Sequence, residues 1–237
     1  MQKRHLEVRR LGRVDYAGAL ELQKSFEREV IEKRRQDYLL LLEHPHTFTL
    51  GRRAKSDGVL ATAEILKTLG AEVFEANRGG KVTYHGIGQI VGYPIVNLSP
   101  DREDVHLYVR DLEEVLIRTM ADFGIEAFPI EGLTGVHTAE GKIAAIGVHI
   151  KRWVTTHGFA LNVNTDLSYF NWIIACEGEQ VTSMERLLGR EIPLAEVEDR
   201  IAVNFADVFG AEEVTNAEIA EYAEKKEILQ GYQDGQG

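Results

Sequence analysis

A single cysteine, Cys176, stands in 237 residues. That excludes an internal disulfide framework and any zinc or iron–sulfur centre built from several cysteines. Proline is sparse, with 5 in the chain, and no Pro- or Ser-rich linker, low-complexity tract or repeat divides it. No apolar run approaches the roughly 18 residues that a membrane helix needs; the longest strings, such as 38–42, are strand-sized. The opening MQKRHLEVRRLGR has no apolar stretch ahead of a cleavage site, so no secretory leader and no membrane association are expected. Positive charge is in deficit: 27 Lys and Arg against 38 Asp and Glu leave a net charge of −11. This argues against general nucleic-acid binding, which needs an electropositive face. A lone thiol without a leader fits a reducing cytoplasm. Asn97-Leu98-Ser99, with Pro100 behind it, reads as a chance glycosylation triplet.

What is present is globular. Hydrophobic residues at 44% and charged residues at 27% suit a soluble chain with a sizeable core, and the length allows one large domain or two small ones. Leu22, Phe26 and Val30 recur at i, i+4 and i+8 and predict a helix over 16–35. YLLLLEHPHTFTLG predicts two strands broken at Pro45. A short helix over 63–69 stops at Gly70, and Val73-Phe74 begins a strand. After a glycine-rich stretch at 78–92, YPIVNL reads as a strand. A helix over 103–123, with Val105, Tyr108, Leu112, Val115 and Leu116 on one face, stops at Gly124. Strands are expected at 126–130, 134–138, 142–150 and 153–163, the middle pair joined through Ala139-Glu140-Gly141. A loop then covers 167–184, and helices at 194–209 and 216–228 close the chain. Without regular βαβ alternation, this is an α+β pattern with a mainly antiparallel sheet.

Of 22 glycines, five lie in 78–92 and five in 131–158. Such clusters mean tight turns or backbone pressed against a ligand. The first cluster, RGGKVTYHGIGQ, also carries Arg78, Lys81, Thr83, Tyr84, His85 and Gln89, more polar groups than a turn requires. It has no GK[ST] ending and no G-x-G-x-x-G opening a helix, so neither a phosphate loop nor a dinucleotide site fits. Cys176 is either a buried small hydrophobe or a nucleophile, the latter requiring a base or cation nearby. Lys142, at the mouth of the apolar strand EGKIAAIGVHI, is either a solvated strand-end lysine or a partly desolvated amine able to act as a base. His44, His46, His149 and His157 invite a metal, but no H-E-x-x-H or comparable spacing supports one. His85, inside the glycine cluster, is the histidine with a functional setting.

RGGKVTYHGIGQIVGYPIVNL (78–98) closely resembles the signature of the lipoyl(octanoyl) transferases, enzymes that move octanoyl groups from acyl carrier protein to lipoyl domains. The resemblance extends in the family's order to EHPHTFTLGRRA (43–54), the stretch at 132–170 and CEGEQVTSM (176–184), covering most of 38–184. It implies a biotin/lipoate protein ligase-like fold, with mixed, mainly antiparallel sheets flanked by helices, and one catalytic domain over 1–230; the tail GYQDGQG (231–237) is expected by its composition to be flexible. It matches Cys176 to the acyl-accepting cysteine and Lys142 to the lysine that activates that cysteine. It matches Arg78, Gly79, Gly80, Lys81, Val82, Thr83, Tyr84 and His85 to the acyl-substrate loop, and Ala145, Ile146, Gly147, Gly158, Phe159 and Ala160 to two further substrate-contacting stretches. The sequence departs from the family's pattern at His46, Ile87, His137, Ala175 and Glu177.

By resemblance the donor is octanoyl-acyl carrier protein. The acceptors are lipoyl domains of 2-oxoacid dehydrogenase complexes and the glycine cleavage H protein. No metal or nucleotide cofactor is implied. The AAIG and GFAL strands, with small residues, are expected to line the acyl slot. Both partners are acidic, so an acidic enzyme must attract them through local basic patches, and Arg52, Arg53 and Lys151 are expected to rim the site. The rival readings are an ATP-dependent lipoate or biotin ligase, a cysteine hydrolase, and a catalytically dead acyl- or lipoyl-domain-binding protein.

Overall fold

The computed structural model describes residues 4–33, 36–55, 57–174 and 180–214. The chain opens with β1 (Arg4–Arg13), α1 (Tyr16–Lys33), β2 (Asp37–Glu43) and β3 (Thr47–Leu50), then α2 (Ala63–Leu69), β4 (Glu72–Glu75), β5 (Val82–His85) and β6 (Gln89–Ile95). The long helix α3 (Val105–Asp122) leads into a meander of β7 (Phe128–Ile130), β8 (Leu133–Thr138), β9 (Gly141–Lys151) and β10 (Val154–Asn162). A 3-10 turn (Leu167–Trp172), α4 (Met184–Leu188), α5 (Leu194–Phe209) and β11 (Ala211–Val214) follow. Eight strands form one sheet in the order β11-β1-β2-β6-β10-β9-β8-β7, and β4-β3-β5 form a second. The β2–β6–β10–β9–β8–β7 run is antiparallel, whereas β1 pairs in parallel with β2 and β11, and β3 with β4.

Helices cover both faces of the large sheet, which explains why β2 reads as an unbroken apolar run. Leu39 and Leu41 point into one core with Tyr108, Leu112 and Val115 of α3 and Ile201 and Phe205 of α5. Tyr38, Leu40 and Leu42 point into the other, against Leu22, Phe26 and Val30 of α1. Each such leucine contributes about 1.5–3 kcal/mol by leaving water. Phe48, Tyr84 and Ile173 make a third cluster beneath the small sheet.

Several expectations change. β1 carried no strand signal because charges alternate with its apolar residues. Leu6 and Val8 enter the core, while Glu7 and Arg9 pair at 2.5 Å and Arg9 caps the Phe26 ring at 5.0 Å. The glycine-rich stretch holds all of β5 and the first half of β6, so 78–92 is far more ordered than its composition suggests. Val105 does not join the core face of α3; it follows the N-cap Asp104 and stays 43% exposed. The expected loop at 167–184 contains the 3-10 turn and ends in α4. The predicted helix at 216–228, the tail at 231–237, and Arg34 and Arg35 lie outside the described residues. No helix among the described residues is long and apolar enough to cross a membrane.

Candidate active site

A groove of about 410 Å³ opens between the two sheets. Its floor is β9 and β10 where small residues flank one large pair: Ala145, Ile146 and Gly147 face Ala160, Phe159 and Gly158 in register. One wall is the glycine-rich segment. The Gly79 N–H donates to the Val148 carbonyl at 2.9 Å, laying the loop on β9. A Cβ at Gly147 would lie 2.9 Å from the Gly79 oxygen, so only glycine permits this approach. Arg78 is buried behind the loop. Its Nη2 donates to the Thr49 carbonyl at 2.8 Å and to Thr49 Oγ1 at 2.7 Å, and its Nη1 to the Gly79 carbonyl at 3.0 Å.

The groove changes character along its length. Near the start of β9, Lys142 stands with Leu133, Thr134 and Val181. Its backbone is clamped: the Lys142 N–H donates to Gln180 at 2.8 Å, and its carbonyl accepts from the Thr182 N–H at 3.0 Å. His157 pairs with Val148, six residues farther along β9, a run of about 20 Å. There the groove meets Tyr16, Tyr93 and His85. His157 adopts a left-handed backbone, φ 57°, with its N–H bonded to Gln23 Oε1 at 2.7 Å and its Nε2 2.6 Å from Asn77 Oδ1.

These buried groups are held neutral. Burial, and then the Arg78 charge, pushes His157 down to about 3. Burial chiefly, with His44 and Arg78 behind it, pushes His85 well below the usual histidine range. Burial raises Tyr16 to about 12, partly offset by Arg78. Three of the four histidines suggested as metal ligands bond protein partners: His157 as above, His44 to the Val14 carbonyl and Tyr93 Oη, both at 2.7 Å, and His46 to Tyr84 Oη at 2.7 Å. Among the described residues no group of three or more His, Cys, Asp or Glu side chains is arranged to hold a metal ion.

Nearly all the residues singled out from sequence meet in this groove: Lys142, Arg78, Gly79, Gly80, Lys81, Val82, Thr83, His85, and both triplets of β9 and β10. Tyr84 belongs to the same strand but turns the other way, fully buried against Phe48, Tyr169 and Phe170. Thr83 and His85 alternate with it and face the groove, and Val82, which packs in the same cluster as Tyr84, reaches the groove at the strand's start. Arg52 and Arg53 are exposed at the groove. Lys151 is not at its rim; it lies 3.9 Å from Glu27 of α1. Cys176 and its neighbours Ala175 and Glu177 lie outside the described residues. Sequence reasoning missed Tyr16, Tyr93, Val109 and Ile173, since nothing local distinguishes them from core residues.

A mixed sheet with helices on both faces and a glycine-walled groove against a small second sheet is the architecture of the biotin/lipoate protein ligase fold. The bipartite lipoate protein ligase of Thermoplasma acidophilum, solved in a study of that ligase and its E2 lipoyl domain, superposes with a TM-score of 0.68. That match has 18% identity and covers 94% of this chain and 92% of that one. The chain belongs to the lipoyl protein ligase A/B catalytic domain family, which it matches over residues 15–206. It is 51% identical to an octanoyltransferase of Solibacter usitatus over 90% of its length and 97% of that relative, and 52% identical to one of Rubrobacter xylanophilus over 86% and 94%. It is an acyltransferase of the octanoyltransferase kind.

Proposed function

We propose that the protein transfers an octanoyl group from octanoyl-acyl carrier protein to a specific lysine of lipoyl domains through a thioester on Cys176. The acceptors are the lipoyl domains of 2-oxoacid dehydrogenase complexes and the glycine cleavage H protein, and the setting is the cytoplasm. One catalytic domain, 1–230, carries the reaction. The observation that carries the reading is the placement of the residues around Cys176. Ile173 and Val181 both line the groove that Lys142 enters. Ile174 donates to the Gly58 carbonyl at 2.8 Å, and Gln180 is bonded to Lys142. Gln180 is four positions from Cys176, a length of chain that spans at most about 14 Å.

Lys142 takes the thiol proton of Cys176, and the sulfur attacks the donor's carbonyl. A new S–C bond forms, the old one breaks, and the carrier's thiol leaves with the proton held by Lys142. The amine of the acceptor lysine then attacks the acyl-cysteine, forming an amide C–N bond. The amine's proton returns through Lys142 to the Cys176 sulfur. Thioester exchange is nearly isoenergetic, so the first half needs positioning and an activated nucleophile; the amide product drives the second. Backbone N–H groups of the glycine-rich wall suit the oxyanion. Arg78, Gly79, Gly80, Lys81, Val82, Thr83 and His85, with the triplets at 145–147 and 158–160, hold the acyl substrate, and Tyr84 supports the wall from its far side. An apolar floor there retains the chain at about 0.8 kcal/mol per buried CH₂. The transfer as written consumes no nucleotide and uses no metal.

Intact-mass spectrometry after brief mixing with octanoyl-acyl carrier protein tests this. The expected result is one octanoyl adduct, labile to hydroxylamine and discharged by apo-lipoyl domain, present on the native chain and lost in Cys176→Ser and Lys142→Ala. An adduct or product that forms only with free octanoate and ATP would replace this reading with the ligase reaction. An adduct lost to water without acceptor would replace it with hydrolysis.

A further inference from the structure

Beneath the groove an unbroken line of buried hydrogen bonds runs from His85 to Lys142. Gln89 Nε2 donates to the Tyr84 carbonyl at 3.1 Å and to Asn162 Oδ1 at 2.9 Å. Its Oε1 accepts from His85 Nδ1 at 2.9 Å. Asn162 Nδ2 donates to the Thr182 carbonyl at 3.0 Å. The Thr182 N–H donates to the Lys142 carbonyl at 3.0 Å, and the Lys142 N–H to Gln180 at 2.8 Å. The two backbone carbonyls can only accept, so they fix which way both amides face and put the proton on His85 Nδ1. Gln89, Asn162 and Thr182 are 1%, 4% and 0% exposed, so no solvent competes with these bonds.

We propose that Asn162 is a positioning residue for Lys142: it pins residues 180–182 against β9 and ties that contact to the glycine-rich wall at His85. Asparagine suits the place because the relay needs a donor toward Thr182 and an acceptor toward Gln89 at one side chain. Aspartate supplies only the acceptor, and alanine neither. Residues 180–182 are bonded to the large sheet through Lys142 and, from β10, through Asn162. Loss of the Asn162 bond leaves the Thr182 carbonyl unbonded on that side and loosens the Lys142 clamp. The kinetic consequence rests on the acyl-cysteine reading above; the structural one does not.

Cys176 is the only thiol in the chain, so its alkylation by iodoacetamide, followed against pH, reports on the lysine–cysteine pair without any acyl donor. For Asn162→Asp and Asn162→Ala, alkylation near neutral pH should slow about tenfold and its pH profile should move upward. The octanoyl-transfer kcat should fall at least as far, with KM for the donor within about twofold, since an ångström of misplacement can cost about 100-fold. Gln89→Met, one link farther off, should give a smaller effect in the same direction, and it carries the test if the Asn162 variants do not fold. Thr165→Val, which deletes the nearby buried bond from Thr165 Oγ1 to the Gly88 carbonyl, should lower the melting temperature without moving either rate. Unchanged alkylation and kcat in the Asn162 variants, or slowing equal to that of Thr165→Val, would overturn the proposal. An alkylation response without octanoyl transfer by the native chain would uphold the positioning role and reject the octanoyl reading.

Discussion

Gly135 makes room for Lys142. Its φ is +125°, and a Cβ there would lie 2.5 Å from the Ala144 oxygen and 2.7 Å from Lys142 Cε. Gly135→Ala therefore adds backbone strain of about 1–3 kcal/mol and pushes the lysine out of place. Urea denaturation should register the strain. Octanoyl transfer should fall further than stability explains, with the lost rate unrecovered when temperature is lowered to restore folding. His44 provides the acid test at the same scale. Its Nδ1 donates to the Val14 carbonyl and its Nε2 accepts from Tyr93 Oη, an arrangement only the neutral ring can make. Burial lowers it to about 4 from an ordinary 6.5. The unfolded chain thus binds a proton that the folded one refuses. Stability is complete above about pH 6.5 and is lost as pH falls toward 4. His44→Gln should flatten the stability–pH curve across that window, measured by thermal melts at several pH values.

Elements hold the groove through their ends as much as through their faces. The five-residue helix α4 (Met184–Leu188) is capped by Ser183, whose Oγ accepts from the Arg186 N–H at 3.2 Å, and it closes on left-handed Gly189. Met184 anchors it in the main core. The cap adjoins Thr182, so the helix start and the Lys142 clamp are consecutive links of one chain. Ser183→Ala should cost about 0.5–2 kcal/mol of stability, read from denaturant melts. The helices α1, α3 and α5 were plain in the sequence because apolar residues recur every three to four positions and each helix packs one stripe. Strand β1 was not plain, because its outer residues are a buried ion pair whose partners become visible only once Phe26 lies above them. Val105 misled for a related reason: period alone places it on the stripe, but the first turn of α3 reaches past the core to the groove.

At the scale of the whole molecule, a net charge of −11 repels acidic partners, so any attraction is local. Arg52 and Arg53 are exposed at the groove, where the proposed acidic carrier would meet them. Lys151, engaged with Glu27, is not at its rim. Reversal of both arginines to glutamate should raise KM for octanoyl-acyl carrier protein and weaken its dependence on salt, while a small octanoyl thioester is turned over as before. Equal effects on carrier and small donor would place the arginines in acyl binding instead of docking.

The sequence by itself determined the periodic elements, the glycine positions and the blocks of residues that mark the family, because these depend on neighbours a few positions away. Gly147 and the small residues of β9 and β10 already implied a backbone held close to something. The tertiary structure decided what that something is: the Arg78 loop, laid across β9 through the Val148 carbonyl. It decided that Tyr84 faces away from the groove while its strand neighbours Thr83 and His85 line it. It also brought together Gln89 and Asn162, 73 residues apart, and Asn162 and Thr182, 20 apart, beneath the site. Such pairings leave no local signature. A buried amide is tolerated only where distant backbone and side-chain groups satisfy every donor and acceptor, and those partners exist only once the sheet has assembled.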